Sequence, residues 1–553
     1  MASTSADHRP SAEGPDYLQP RARRPGNPHV FRALNDGNGL LKVQDVPPAV
    51  ASSGLSSGRS TPIPQDAPPS VHATSSARKQ VRAQQKHRIF PTIEYAARLS
   101  HFDPNSDYRD FRGFFVLFWI GLAIMVITAM LRNVKETGYP LLFKQWPLFT
   151  ENIVELALSD FGMVASTVLS LPLHKLYRSS QGPLRWSRGG MVVQSIYQAI
   201  WLGFWVNLPF AHNWTWTAQV FFTLHLLAIF MKMHSYAFYN GHLSETLRRL
   251  DELDRPETAS TAAAIRYPRS HDHLRQMKHE NESEDNRIDA VSSVAQLRED
   301  LALELTSPLG HVTYPSNLSS RNYLDFLLCP TLCYELEYPR TSGTNWMELF
   351  YKTLAVFGCI FLLTVTSEEF IIPVLDESAE RLHGTSTISE GGLILAETIN
   401  RLLFPFMVSF LLVFLVIFEY VLGAFAEITC FADRHFYADW WNSCDWLEFS
   451  REWNIPVHHF FRRHVYSASL SHMSRPVATV ITFLISALAH ELVMGCISKK
   501  VRGYGFFAMM LQMPIVMVQR SKYVRGRTLL NNVLFWCSMI LGLSMMCALY
   551  VLV

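Results

Sequence analysis

The stretch Gly189–Met231 reads GGMVVQSIYQAIWLGFWVNLPFAHNWTWTAQVFFTLHLLAIFM and contains 43 residues without Asp, Glu, Lys or Arg. About 20 apolar residues cross the hydrocarbon core of a bilayer, so this stretch is long enough for two membrane-spanning helices. We expect the break between them near Pro209–Asn213. A second uncharged run, Thr528–Val553, has 26 residues. The sequence therefore predicts a membrane protein that crosses the bilayer several times and excludes an ordinary soluble enzyme.

The chain has 553 residues, of which 49% are hydrophobic, and its net charge of +2 gives no sign of a nucleic-acid partner. We predict an all-α, polytopic fold with about nine transmembrane helices. They are expected near 114–131, 153–173, two within 189–231, and near 347–373, 397–425, 476–497, 503–519 and 528–552. Basic residues at 78–88 precede the first span, which predicts a cytosolic N-terminus.

Composition divides the chain into two parts. Residues 1–100 are polar and rich in Ser, Pro and Arg, which predicts a disordered cytosolic tail. Residues 101–553 form the predicted membrane-embedded domain. Within it, the charged stretch 240–345 is expected to be a solvated cytosolic insertion, so that its sequon asparagines Asn281 and Asn317 escape glycosylation. The polar stretch 430–475 is expected on the same side.

One ionisable residue stands out because of its depth in a predicted span. His490 lies about 21 Å along a helix that starts at Pro476, among apolar residues. Polar groups at such depth are costly and point to function. Histidine titrates near neutral pH and suits proton abstraction, and Ser486 shares its helix face. A histidine that hydrogen-bonds between helices for structural reasons would give the same pattern.

A second candidate region, 431–466, is crowded with aromatic and histidine residues but is too polar to cross a bilayer. An amphipathic helix in the membrane interface would have this composition. On one helix, Arg451, Asn454 and His458 would form a stripe, although Pro456 would weaken it. An interfacial anchor without chemistry explains the same residues.

Other chemistries lack their motifs. Residues 101–553, the predicted membrane domain, contain no G-x-S-x-G, P-loop, G-x-G-x-x-G or H-E-x-x-H pattern. His458, His459 and His464 could bind a metal, but no cysteine or carboxylate cluster supports them. We therefore expect no metal and no cofactor.

Three motifs make the chain resemble the membrane-bound O-acyltransferase (MBOAT) family, and in particular its fungal sterol O-acyltransferase branch. The first is the run Phe436-Tyr437-Ala438-Asp439-Trp440-Trp441-Asn442, which matches F-Y-x-D-W-W-N. The others are Trp453–His458 and Ser486–Glu491. The resemblance covers about half of the chain and implies an MBOAT-type fold.

The resemblance also implies a reaction and its residues. An acyl group would pass from acyl-CoA, a substrate rather than a cofactor, to a sterol hydroxyl such as that of ergosterol or cholesterol. His490 resembles the catalytic histidine and Asn454 its partner near the thioester. The positions that resemble acyl-CoA contacts are Arg451, His458, Tyr466, Arg475 and Ser486, and the signature run of Phe436, Tyr437, Asp439, Trp440, Trp441 and Asn442 would support the site. The charged end of CoA is expected near Arg451, Arg462, Arg463 and Arg475.

Location and assembly follow from the same resemblance. It implies the endoplasmic reticulum membrane, multiple passes, and a homodimer or homotetramer. Two other functions stay open at this point. A diacylglycerol O-acyltransferase shares Asn454–His458, and a lipid transporter without turnover would use His490 for coupling or structure.

Overall fold

The computed structural model describes residues 93–552 except 94, 103–111, 142–143, 213, 254–297, 299, 309, 386, 471, 523 and 525. The predictions for residues 1–92, and for the sequon at Asn281, lie outside this part of the chain. Throughout the described ranges the regular elements are helices, and extended pairing is limited to isolated bridges. The all-α prediction is confirmed.

The first six helices end with one of 38 residues. They are α1 (Arg112–Thr137), α2 (Pro147–Thr150), α3 (Ile153–Ser166), α4 (Ser170–Ser179), α5 (Met191–Ala211) and α6 (Trp216–Leu253). A 3₁₀ turn, Thr167–Leu169, joins α3 to α4, and a π turn, Trp186–Gly190, leads into α5. The predicted break inside the uncharged run is confirmed, since α5 ends at Ala211 and α6 begins at Trp216.

The second half alternates long helices with short ones. They are α7 (Ser320–Leu328), α8 (Trp346–Thr366), α9 (Ile372–His383), α10 (Ile388–Phe414), α11 (Leu422–Ile428), α12 (Trp446–Glu452), α13 (Ile455–Phe460), α14 (Ser467–Leu470), α15 (Arg475–Ser498), α16 (Tyr504–Gln519) and α17 (Thr528–Leu552). π turns join α8 to α9 (Ser367–Ile371), α10 to α11 (Leu415–Val421) and α13 to α14 (Phe461–Tyr466). A 3₁₀ turn covers Trp440–Asn442.

Seven described helical segments are long and apolar enough to cross a membrane. They are Gly113–Thr137, Pro147–Ser179, Trp216–Glu252, Trp346–His383, Ile388–Ile428, Arg475–Ser498 and Thr528–Leu552. Helices α5 and α16 fall outside this set but lie where the sequence predicts two further spans; α16 is apolar and has 16 residues. The chain is a multi-pass membrane protein, and the predicted number of nine is approximate.

Helix α6 has an apolar first part and a polar second part. Phe222, Leu226, Ile229 and Met233 are at most 3% exposed and recur at helical spacing, so they bury one face of α6 against α3 and α5. At 38 residues, α6 is about 57 Å long, which exceeds the hydrocarbon core of a bilayer. Its second part therefore extends beyond the lipid and carries buried polar side chains.

Parts of the stretch 300–338 pack into the core, and the prediction of a solvated insertion over 240–345 is wrong at these positions. Tyr323, Tyr334 and Tyr338 are buried in the largest hydrophobic cluster. The Asn317 amide donates to Asn240 Oδ1 (2.7 Å) and to the Tyr334 hydroxyl oxygen (2.9 Å). Neighbouring charged residues lower the average hydropathy of this stretch, so hydropathy did not indicate that its aromatic residues are buried. Because Asn317 is only 1% exposed, it is no glycosylation acceptor in the folded chain.

The boundary of the predicted tail at residue 100 is also displaced. Described residues between 93 and 102 contact the core, and Ser100 is 7% exposed. The polar composition of the preceding residues hides this short packed segment.

Candidate functional site

The hydrogen bond of His490 shows which ring nitrogen carries the hydrogen when the imidazole is neutral. Nδ1 lies 2.8 Å from the backbone oxygen of Ser486, one turn earlier in α15. A carbonyl oxygen can only accept, so Nδ1 carries the hydrogen. The neutral imidazole then has its lone pair on Nε2, and this is the form that a general base requires.

The surroundings of His490 argue against a purely structural role. The residue lies about 22 Å from the start of α15 and about 12 Å from its end. Its side chain is exposed on the protein surface, at the depth of the membrane. Among the described residues, its only hydrogen-bond partner is Ser486 in its own helix. A histidine that joined two helices would have a partner on the second one.

Glu491 joins three helices directly beside His490. Its carboxylate accepts from the backbone N–H groups of Gly503 (2.6 Å) and Phe506 (3.1 Å), at the start of α16. It also accepts from the Tyr550 hydroxyl in α17 (2.7 Å). The sequence analysis missed this role. A carboxylate that precedes a glycine-containing break in an apolar run is the signal that could have indicated it.

Asn454 begins a new helix, so the predicted single stripe of Arg451, Asn454 and His458 is wrong. Helix α12 ends at Glu452, and Asn454 Oδ1 accepts from the N–H of Val457 (3.1 Å) as the N-cap of α13. Pro456 lies in the first turn of α13, where its missing N–H costs nothing. With Oδ1 engaged, the Nδ2 amide hydrogens of Asn454 have no partner in the described part of the chain.

The signature run at 436–442 has three buried residues out of seven, and it contacts the segments around it. Trp440 is 1% exposed and packs against Trp453 and Phe414, at ring distances of 5.1 Å in both cases. The backbone of the signature run also forms hydrogen bonds. The Phe436 oxygen accepts from Ile455 N (3.0 Å), and Ala438 N donates to the Glu452 oxygen (2.8 Å). These two bonds hold the short segment that carries Asn454.

The other residues of the signature run form hydrogen bonds with α17, with one another and with a π turn. The Trp441 oxygen accepts from Asn532 (3.1 Å) and Trp536 (3.1 Å) of α17. Asp439 accepts from the Asn442 amide at 3.3 Å, which closes the 3₁₀ turn. The hydroxyl of Tyr437 reaches the carboxylate of Glu419, inside a π turn.

Two predicted acyl-CoA contacts lie on α15 itself. Arg475 is the exposed first residue of this helix, and Ser486 follows eleven residues later, nearly on the same face. His490 lies one further turn along. The structure therefore aligns a cation, a small polar residue and the candidate base along one side of α15.

The other predicted contacts lie before α15. Arg451 is exposed, and its Nε bonds the Leu447 oxygen (3.1 Å). Burial, together with the positive charges of Arg462 and Arg451, lowers the pKa of His458 to about 4, so this imidazole is neutral at physiological pH. Tyr466 ends the π turn Phe461–Tyr466, which packs against α15. The structure shows no direct hydrogen bond between Asn454 and His490.

Arg463 cannot meet a soluble substrate, and its predicted place beside the CoA phosphates is wrong. The side chain is 1% exposed, and Nη1 bonds Glu335 Oε1 (2.7 Å) and the Tyr334 oxygen (3.1 Å). Its guanidinium also lies 4.4 Å from the centre of the Tyr239 ring. A buried charge needs such a partner, and the neighbouring Arg462 is the exposed one.

The described residues include no group of three His, Cys, Asp or Glu side chains placed to hold a metal ion. The site as described therefore consists of the imidazole, an amide, several exposed cations and the buried framework that holds them.

Comparison with known proteins adds independent information. Residues 200–552 match the model of the membrane-bound O-acyltransferase family. The chain is 40% identical over 446 residues to a probable sterol O-acyltransferase 2 of Schizosaccharomyces pombe, across 80% of this chain and 87% of the relative. It is 32% identical over 495 residues to sterol O-acyltransferase 2 of Candida albicans, across 83% and 78%. Similarity to diacylglycerol O-acyltransferase 1 of Dictyostelium discoideum is 34% over 244 residues, across 44% and 38%.

Proposed function

Because the chain belongs to the membrane-bound O-acyltransferase family, we propose that it transfers the acyl group of a long-chain acyl-CoA to the hydroxyl of a sterol, with His490 as general base. The observation that carries the catalytic assignment is the bond from His490 Nδ1 to the Ser486 oxygen. It leaves a basic nitrogen free at membrane depth.

The reaction needs one proton acceptor at the attacking oxygen. His490 Nε2 takes the proton of the sterol hydroxyl while the oxygen attacks the thioester carbonyl carbon. The carbon–sulfur bond then breaks, and the imidazolium returns its proton to the departing thiolate. The products are a steryl ester and free CoA, so neither a metal nor a cofactor is required. General base catalysis of this kind contributes about 10²–10⁴-fold.

Asn454 supplies a donor to the thioester. Since its Oδ1 is occupied by the N–H of Val457, the side chain has its amide hydrogens left to donate to a substrate. An amide donor stabilises the negative charge that develops on the carbonyl oxygen as the tetrahedral intermediate forms. The capping hydrogen bond therefore also holds the Asn454 side chain in one orientation for this contact.

The two substrates reach the site by different routes. CoA is a water-soluble polyanion, so its phosphates contact the exposed cations Arg451, Arg462 and Arg475 outside the membrane. From Arg475 the thioester lies about 22 Å further along α15, at His490. The sterol dissolves in the bilayer and approaches His490 laterally, because that side chain is accessible from the surface of the fold.

The sterol is preferred to diacylglycerol as acceptor because of the extent of the similarity. The sterol O-acyltransferases match 80–83% of the chain, whereas the diacylglycerol O-acyltransferase matches 44%. The resemblance to the sterol O-acyltransferase branch leads us to place the protein in the endoplasmic reticulum membrane. We place its N-terminus in the cytosol because the basic residues at 78–88 precede α1. A homodimer or homotetramer remains a prediction, to be tested by the mass of the detergent-solubilised complex.

One assay tests the acceptor directly. Purified protein in lipid nanodiscs receives labelled oleoyl-CoA with ergosterol, cholesterol or diacylglycerol in parallel. We expect labelled steryl ester and an equal amount of free CoA. Labelled triacylglycerol as the main product would show that the acceptor is diacylglycerol and not a sterol. CoA release without any ester would contradict acyl transfer.

A further inference from the structure

A short segment before the first span lies across the signature region. We call residues 95–102 the strap. Its Arg98 pairs with Asp433 in an isolated parallel bridge, in which Arg98 N donates to the Ala432 oxygen (3.2 Å) and Arg434 N donates to the Arg98 oxygen (2.9 Å). The strap thus adds an extended backbone segment to residues 432–434, just before the signature run.

The Asp433 carboxylate depends on the strap for its partners. It is 5% exposed, and Arg98 bonds both of its oxygens, Nε at 3.0 Å and Nη2 at 2.6 Å. Ala96 N adds a third bond (3.1 Å), and within the described part of the chain only the bond from His435 N comes from outside the strap (3.3 Å). A buried carboxylate that loses its cation is strongly destabilised, so the position of 432–434 is coupled to Arg98.

A second contact lies at the far end of the strap. Ser100 Oγ donates to Glu419 Oε2 (2.5 Å), the same oxygen that accepts from the Tyr437 hydroxyl (2.9 Å). Ser100 and Tyr437 are themselves 2.9 Å apart, and Lys352 holds the other oxygen of Glu419 at 3.2 Å. The strap therefore reaches a residue of the signature run through a buried polar cluster.

The contacts continue from the signature run to the candidate site. On one side the strap holds residues 432–437, as described above. On the other side Phe436 and Ala438 bond the backbone of Ile455 and Glu452, which flank Asn454. A set of hydrogen bonds thus leads from Arg98 and Ser100 to the segment that carries the cap residue Asn454, the proposed thioester donor.

We propose that Arg98 and Ser100 are positioning residues for acyl transfer, which act by fixing the loop 432–438 that holds Arg451 and Asn454. They lie upstream of the family-matched region 200–552. The proposal rests on the proposed function, because it concerns the orientation of groups that act on acyl-CoA.

The test compares two arginine–carboxylate pairs of similar exposure. Arg98 is 35% exposed and Asp433 5%; Arg132 is 47% exposed and its partner Glu369 8%, with a bond of 2.7 Å. Arg132 lies about 30 Å along α1 from its start, at the other end of the span. Arg132→Ala is therefore the matched control for Arg98→Ala in full-length protein.

We expect Arg98→Ala to lower kcat about tenfold, as loss of a charge-assisted hydrogen-bonded pair predicts. The KM for acyl-CoA should rise and that for sterol should stay unchanged. Arg98→Lys, which keeps the charge and one bond, should recover part of kcat, and Ser100→Ala should lower kcat with normal folding. Removal of residues 1–92 should leave substantial activity, whereas removal of 1–102 should abolish it.

Two results would overturn the proposal. One is wild-type kinetics for both Arg98→Ala and Ser100→Ala. The other is an equal loss for Arg98→Ala and Arg132→Ala with both KM values unchanged, which would indicate lost folded protein alone. An inactive wild-type protein, or a fully active His490→Ala variant, would instead contradict the proposed function, so the two failures are distinguishable.

Discussion

Replacement of Glu491 by Gln tests how the helix that carries His490 is held. The substitution keeps the size of the side chain and removes its charge. In the native chain the two carboxylate oxygens accept three hydrogen bonds, from Gly503 N, Phe506 N and the Tyr550 hydroxyl. A glutamine has one oxygen to accept them, and its NH₂ group would face a donor.

The size of the effect follows from these contacts. Loss of one hydrogen bond to a charged group costs about 1.5–3 kcal/mol. Loss of an anion at the start of α16 adds about 0.3–1 kcal/mol through the helix dipole. We therefore expect Glu491→Gln to lower the free energy of unfolding by roughly 2–4 kcal/mol. Tyr550→Phe leaves the carboxylate with both backbone donors and should cost less.

The assay combines stability and turnover. Thermal unfolding in nanodiscs, followed by tryptophan fluorescence, ranks wild type above Tyr550→Phe and Tyr550→Phe above Glu491→Gln. Steryl ester formation below the unfolding temperature should fall most in Glu491→Gln, because the neighbouring His490 shifts with α15. Acyl-CoA affinity should change little, since Arg475 lies at the opposite end of α15, about 24 Å from Glu491, and Arg451 and Arg462 lie outside this helix.

The reasoning would be refuted by a Glu491→Gln variant that unfolds at the wild-type temperature and keeps wild-type turnover. In that case the carboxylate would not join α15 to α16 and α17. A variant that is destabilised as expected but fully active would show that the joint supports the fold without positioning His490.

The remaining predictions concern the cap and the buffer pH. Asn454→Asp keeps the cap oxygen for Val457 N but loses the amide donor, so turnover should fall about 10²–10³-fold with little loss of stability. Turnover of Asn454→Asp equal to that of the wild type would exclude donation to the thioester. Burial lowers the pKa of His458 and of His459 to about 4, against about 6.5 when unfolded. The stability from these neutral imidazoles is complete above pH 6.5 and is lost as the pH falls toward 4, by about 1–2 kcal/mol for each at pH 5. His459→Gln should weaken this dependence in melting curves, and an unchanged acid sensitivity would contradict the assignment.

The spans were predictable because lipid imposes a local requirement. A helix in hydrocarbon must be apolar over about 20 consecutive residues, and an exception such as His490 is visible in such a background. The same averaging failed at 300–338, where charged neighbours conceal Tyr323 and Tyr334. It failed again at the strap, which is too short to raise the mean hydropathy of a polar tail.

The partners of the site residues were not predictable, because they are distant in sequence. Glu491 and Tyr550 are 59 residues apart, Arg463 and Glu335 are 128 apart, and Arg98 and Asp433 are 335 apart. Periodicity reports only contacts within a few turns of one helix. The broken stripe was different, since Pro456 signalled locally that a helix begins at this point.

Turnover by His490→Ala tests the central claim most directly. The variant is reconstituted with ergosterol and labelled oleoyl-CoA, and its folding and acyl-CoA binding are measured in the same preparation. Loss of the base predicts a fall in steryl ester formation of at least about 10²-fold, with acyl-CoA still bound. Steryl ester formation at the wild-type rate in the folded variant would contradict the account.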